Sequence, residues 1–274
     1  MVAAIICLGF SCTAQGSLIA QWTFNEDSGD ALDLTGNGQD ATLVNAPSRI
    51  TNGTTRHMEL NGTNQYAWAP AGKINSTEWY PLNDAIVSAQ AVTVSSWVRV
   101  DVGTAFVGEP AIGKIYGYTG AGNYHLYGVT FAGTAGTNGR VYSYAGRSGS
   151  GQPTAAADSI FDGSWHNITF TFDGAAVGND SVLYFDGTQV ATYDLGTTIG
   201  GGDLNFFMGT RDWIGNTDQY YFDGGIDEVQ VYDEALSQTD VTTLVNSGPV
   251  PIPEPVTMVL LGLGSVLFAA RRRR

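Results

Sequence analysis

Residues 168–174 read ITFTFDG and residues 181–193 read SVLYFDGTQVATY. In the first, Ile168, Phe170 and Phe172 alternate with Thr169 and Thr171, the period-two pattern of a strand with one buried face. In the second, two strand-like runs flank Asp186-Gly187, a pair that tolerates the positive φ angles of a two-residue hairpin. A chain built on such signals pairs its strands antiparallel. Similar runs recur at 18–24, 92–100, 124–131, 140–144, 166–172, 181–185, 204–208 and 226–232. The 36 glycines, with many Thr, Tyr and Val, suit short strands and tight turns. One helix is expected, over SQTDVTTLVN, where Ser237 and Asp240 can form a capping box. No 20–50-residue repeat is present, which excludes a solenoid or propeller. The pattern predicts an all-β protein, a two-sheet antiparallel sandwich.

The ends differ from this middle. The chain closes PIPEPVTMVLLGLGSVLFAARRRR, residues 251–274. Residues 256–270 are apolar; as a helix they would reach about 22 Å, against roughly 30 Å of bilayer hydrocarbon. The prolines before them cannot donate backbone hydrogen bonds and favour an extended linker. On physics alone the segment is a short membrane anchor or an address to be removed. The first 16 residues are apolar and small, and Ala14-Gln15-Gly16 fits the small-x-small rule for leader cleavage, with Ser17 starting the mature chain. A buried first strand, or a lipid on Cys12, are the other readings. Cys7 and Cys12 are the only cysteines, so the domain after the leader has no disulfide and no cysteine–zinc site.

The whole chain carries 26 acidic and 12 basic residues. Setting aside Glu254 and the four terminal arginines leaves 25 against 8. Such a surface repels nucleic acid and anionic lipid. It suits calcium, a neutral glycan, or simply solubility outside the cell.

Pro253-Glu254-Pro255, the apolar run and Arg271, Arg272, Arg273 and Arg274 together resemble the PEP-CTERM sorting signal. That resemblance implies an exosortase partner that processes the tail while it sits transiently in the inner membrane. It also implies export to the cell surface or extracellular matrix of a Gram-negative bacterium that makes exopolysaccharide. The middle resembles a second family. LIAQWTFNEDSGDALDLTGNGQDATLVN (18–45) looks like the opening strands of a LamG-like jelly roll of the concanavalin A-like lectin/glucanase group. AVTVSSWVRV (91–100) is similar to its central strand, SWHNITFTFDG with LYFDGTQVAT (164–192) to its hairpin, and FDGGIDEVQVYDEALSQTDVTTL (222–244) to its closing strand and helix. The resulting order is a signal peptide over 1–16, a jelly roll over 17–248, and a sorting signal with a transmembrane helix over 249–274.

The residues offer three chemistries. In DLTGNGQD, Asp33, Thr35 and Asn37 offer oxygens at alternate positions ahead of Gly38, as a calcium loop does. Val44 stands where an EF-hand needs its closing Glu. The jelly-roll resemblance implies a structural calcium held by Asn25, Glu26, Asp33 and Asp227; otherwise Asp33, Asn37 and Asp40 form Asx turns. Laminarinase-like relatives carry Glu-x-Asp-x-x-Glu, with paired carboxylates for hydrolysis. Here the nearest text, 225–229, lacks the flanking glutamate, and neither a nucleophile elbow nor a His-Glu-x-x-His motif is present. The protein is therefore read as not an enzyme. Third, aromatic rings offer apolar faces to sugars. Trp213 and Tyr220 in RDWIGNTDQYY, with Tyr124 and Tyr142 from the tyrosine-rich stretch, are the candidate glycan-binding residues. Tyr127 and Tyr144 could join them, while Trp22, Trp97 and Trp165 are assigned to the core. The leading reading is a secreted, non-catalytic binder of extracellular polysaccharide or another surface glycan. A calcium-stabilised structural component, or an unrecognised glycan-active enzyme, are the alternatives.

Overall fold

In a computed structural model of the chain, the described residues are 17–71, 80–106, 110–115, 126–134, 139–146, 154–156, 158–196, 198–200, 204–211 and 220–249. They form sixteen strands: Leu18–Trp22 (β1), Thr42–Val44 (β2), Ser48–Asn52 (β3), Thr55–Asn61 (β4), Tyr66–Ala69 (β5), Ala91–Val100 (β6), Ala105–Phe106 (β7), Ala111–Lys114 (β8), Leu126–Thr134 (β9), Arg140–Gly146 (β10), Thr154–Ala156 (β11), Trp165–Asp173 (β12), Ser181–Phe185 (β13), Thr188–Tyr193 (β14), Phe206–Met208 (β15) and Asp223–Tyr232 (β16). The first sheet runs β14-β13-β12-β6-β16-β4-β3, with β1 beside β16; the second runs β11-β10-β9-β8-β15-β5-β2, with β7 beside β9. This is the all-β two-sheet sandwich expected of a jelly roll.

One strand joins three neighbours because it is broken by a bulge. Pairing of β16 with β6 slips between Asp227 and Gln230, and Glu228 takes a left-handed φ of 47°. Before the slip β16 pairs with β4, and after it with β1. The expected hairpin is present: Asp186 (φ 47°) and Gly187 (φ 74°) turn β13 into β14.

The inner faces meet in one core. Val92, Val94, Ile168, Phe170 and Phe172 of the first sheet face Tyr127, Val129, Phe131, Phe206 and Met208 of the second. Trp22 stacks on Phe206 at 5.4 Å, and its indole N–H donates to the Gln39 carbonyl at 2.7 Å. Each such side chain contributes about 1.5–3 kcal/mol on burial.

The expected helix is α2, Gln238–Ser247, with Ser237 and Asp240 forming the reciprocal capping box. It covers part of the first sheet's outer face, where Val241 and Leu236 pack on Tyr184. A second helix, α1 at Pro81–Ala89, was not expected. Two tryptophans depart from the core positions expected of them. Trp97 and Trp165 are half-buried on the outer face of the first sheet, not in the core. The Trp165 ring meets His57 edge-on at 4.8 Å and lies against Gly225, where an added Cβ would come within 2.6 Å of it.

Among the described residues no helix is long and apolar enough to cross a membrane. The leader and the tail, with Pro253, Glu254, Pro255 and Arg271 to Arg274, lie outside those residues.

Candidate functional site

The outer face of the second sheet has an unusual alternation. In β5, YAWA, the small residues Ala67 and Ala69 point into the core and are fully buried, while Tyr66 and Trp68 point outward and are half-buried. Phe207 does the same between the buried Phe206 and Met208. Tyr142 and Tyr144 do so on β10, between Val141, Ser143 and Ala145. Large apolar rings are thus turned away from the core.

Strand register places these rings in rows. One row reads Tyr144, Gly128, Gly113, Phe207, Trp68. The next reads Tyr142, Thr130, Ala111. Three strand spacings, about 14 Å, separate β10 from β15. Between them the sheet carries only small residues, all buried, while the rings at either side are half-buried. Tyr66 lies 6.2 Å from both Phe207 and Tyr221, extending the aromatic group past β15. In the second row the Thr130 hydroxyl is fully buried and has no hydrogen-bond partner among the described residues.

Of the glycan-binding residues expected from the sequence, Tyr142 stands in this aromatic face, its hydroxyl 3.4 Å from an Arg140 guanidinium nitrogen. Tyr220 adjoins its far border, with the Arg211 guanidinium 4.5 Å above its ring. Trp213 and Tyr124 lie outside the described residues. Tyr127, expected as a further glycan-binding residue, is instead in the core, and burial drives its hydroxyl far above the usual range. Trp68, Tyr66 and Phe207 were missed; the inverted pattern of YAWA was the available signal.

The four calcium candidates each have their own partners. Asn25 accepts from the Arg56 amide at 2.8 Å, and Glu26 pairs with Arg49 at 3.3 Å and accepts from the Leu32 amide at 2.8 Å. Asp33 accepts from the amides of Gln21, Thr35 and Gln39 and from the Thr35 hydroxyl. Asp227 accepts from the Glu228 amide at 2.8 Å. Among the described residues no three His, Cys, Asp or Glu side chains gather as metal ligands.

Asp227 and Glu228 form a buried acidic pair on the first sheet, 4% and 2% exposed. Glu228 accepts from the side-chain amides of Gln21 and Gln230. Burial first, then the neighbouring Glu228 charge, pushes the Asp227 carboxyl up from 3.8 to about 8, against the opposing pull of the Glu228 amide. Folded Asp227 thus holds a proton that the unfolded chain has released, and stability falls as pH rises from about 4 to 8. Asp227→Asn should remove this slope. The variant should gain a few kcal/mol relative to wild type between those pH values, read from paired thermal melts. Parallel pH curves would contradict it.

A family model described as the concanavalin A-like lectin/glucanases superfamily matches residues 74–242. Another, the PEP-CTERM protein-sorting motif, matches residues 251–274. Domain 4 of AbnA, a GH43 extracellular arabinanase from Geobacillus stearothermophilus, solved in complex with arabinotriose, shares the fold at a TM-score of 0.56 and 19% identity, over 84% of this chain and 98% of that one. Trypanosoma rangeli sialidase, solved with 2,3-difluorosialic acid, gives 0.55 and 16%, over 83% and 32%. A chain of botulinum neurotoxin type C, whose cell entry is described as dependent on two ganglioside molecules, gives 0.57 and 14%, over 84% and 51%. This chain therefore spans about a third of the sialidase and half of the toxin chain. No curated protein matches it in sequence.

Proposed function

Because this chain belongs to the concanavalin A-like lectin/glucanase superfamily, we propose that the outer aromatic face of its second sheet binds an extracellular polysaccharide or another surface glycan without cleaving it. The observation that carries this reading is the row from Tyr144 to Trp68, in which rings are turned outward over a floor of glycines. Flat apolar faces stack on the C–H side of sugar rings, and threonine and tyrosine hydroxyls meet their hydroxyls. Two groups of rings about 14 Å apart suit several linked sugars better than one. Two structures that share the fold, an arabinanase domain in complex with arabinotriose and a toxin chain whose cell entry depends on gangliosides, agree with such a ligand. The fold is shared by glycan-binding and glycan-cleaving proteins alike. The non-catalytic reading is supported by the missing Glu-x-Asp-x-x-Glu pattern and by the Asp227–Glu228 pair, which is buried on the other sheet.

The sorting motif implies export and a cell-surface or extracellular location, with an exosortase acting on the tail. A glycan binder delivered there by a polysaccharide-making cell would hold matrix polymer at the surface. The test is affinity electrophoresis through gels cast with a panel of neutral and acidic polysaccharides. Wild type should be retarded saturably by at least one. Trp68→Ala should bind that polymer about 10–100-fold more weakly, as hot-spot aromatics do, with an unchanged circular dichroism spectrum. Equal retardation of the two proteins would overturn the site. Cleavage of a polymer, lost on replacing one carboxylate, would overturn the non-catalytic reading.

A further inference from the structure

Ser17 is the first described residue, one position before β1. Its backbone N–H donates to Oδ1 of Asp233 at 2.8 Å, and the Asp233 N–H donates back to the Ser17 carbonyl at 3.2 Å. Leu18 then begins the ladder by pairing with Tyr232. The nitrogen of the Gly16–Ser17 peptide bond is therefore held against a carboxylate at the end of β16.

No Lys, Arg or His pairs with Asp233 among the described residues, and its surroundings are acidic. Glu234 follows it, Glu228 lies back along β16, and α2 contributes Asp240, engaged with Ser237. β1 itself carries no charged side chain. Tyr232, the residue before it, is pushed up to about 12 by burial and by the Glu228 and Glu234 charges. Independently, Ala14-Gln15-Gly16 puts the expected leader cut at the same bond.

We propose that the leader is removed between Gly16 and Ser17 and that the new α-ammonium of Ser17 forms an ion pair with Asp233. This rests on the export reading above. A leader peptidase adds water across the amide: Gly16 leaves with a carboxylate, and Ser17 keeps an amine that takes up a proton. One neutral N–H donor becomes a cation with three, facing a carboxylate already within bonding distance. The cut falls just outside the first strand pair, so it changes charge without disturbing the ladder. Removal of the leader thus supplies a countercharge at the seam where the first strand meets the last.

An ammonium beside a carboxylate holds its proton above its ordinary value of about 8. The gain in stability is complete below that value and is lost as pH rises through the raised one. Full-length protein should be exported from a Gram-negative host, and its N-terminus read by mass spectrometry. Ser17 is the expected first residue. Wild type should then melt roughly 1–4 °C above Asp233→Asn at pH 7, with the gap closing by about pH 10. Asp227 ionises within that window, but it is present in both proteins and drops out of the difference. A gap that persists unchanged at high pH, or no gap at pH 7, overturns the ion pair. A chain exported but cut elsewhere overturns this proposal and leaves export standing. A chain kept uncut in the cytoplasm overturns both. Glycan retention is unaffected in every case.

Discussion

Gly128→Ala is expected to destabilise the protein severely, on the order of 2–6 kcal/mol. Gly128 has φ +132°, and a Cβ there would sit 2.4 Å from the Ile112 carbonyl oxygen and 2.7 Å from the Gly113 Cα. Gly113 faces it with φ +146°, and its own Cβ would sit 2.4 Å from the Tyr127 oxygen. The obstacle on each side is backbone of the paired strand, which cannot swing away as a side chain can. Strain and collision therefore add. Against a typical total of about 5–15 kcal/mol, the loss is a large fraction. Gly38 supplies the control. Its φ is +76°, yet a Cβ would meet nothing within 4 Å, so Gly38→Ala should cost only about 1–2 kcal/mol. Urea denaturation of the three proteins measures both. Equal midpoints for Gly128→Ala and Gly38→Ala would show that β8 and β9 do not approach as described. Gly113 and Gly128 also keep the middle of the Tyr144–Trp68 row free of side chains, so one backbone requirement serves both the fold and that face.

The long strands were legible because alternation is a local property. β6, β12 and the β13–β14 hairpin follow from side chains two residues apart and from Asp186-Gly187. α2 was legible from its capping box. α1 was not, because its only start mark is Pro81 at the first helical position, and its capping residues are unusual. Its N-cap is Tyr80, with no side-chain hydrogen bond, and it ends on Gln90 at φ 53° rather than on glycine. Gln90 works there because its side-chain amide donates to the Ile199 carbonyl and accepts from the Ile199 amide. That tie spans 109 residues, and no local pattern announces it. Assigning Trp97 and Trp165 to the core failed for a related reason. Asn167, Thr169 and Thr171 on the outer face of β12 are as buried as Ile168, Phe170 and Phe172 on the inner one. Alternation sorts residues between faces, but it does not say which face is covered. The aromatic surface was half legible. Tyrosine density marked β10, and alternation marked the run at 204–208 without telling that Phe207 faces outward, while Trp68 sits in a strand of only 4 residues.

Asp33→Ala should cost about 3–5 kcal/mol, through backbone groups rather than through a lost ion. Oδ1 of Asp33 accepts from the Gln21 amide at 3.1 Å, the Thr35 amide at 3.0 Å and the Thr35 hydroxyl at 2.8 Å; Oδ2 accepts from the Gln39 amide at 3.2 Å. Three main-chain donors lose their acceptor at once, in a residue only 7% exposed, and each costs about 1–3 kcal/mol, less whatever water recovers. The damage reaches the core. The loop from Asp33 to Gln39 presents the carbonyl that accepts the Trp22 indole N–H, and the Gln21 amide belongs to β1. Asp33→Asn is the more informative substitution. Its amide oxygen can replace Oδ1, but its NH2 group would then face the Gln39 N–H, donor against donor. A loss of about 1–2 kcal/mol is expected, between wild type and alanine. Thermal melts in calcium and in chelator separate the two roles of this carboxylate. If Asp33 acts through its backbone partners alone, the order wild type, Asn, Ala is the same in both solutions. If it also holds calcium, wild type gains melting temperature with the ion and Asp33→Asn loses that gain, because an amide oxygen brings no negative charge to a divalent cation.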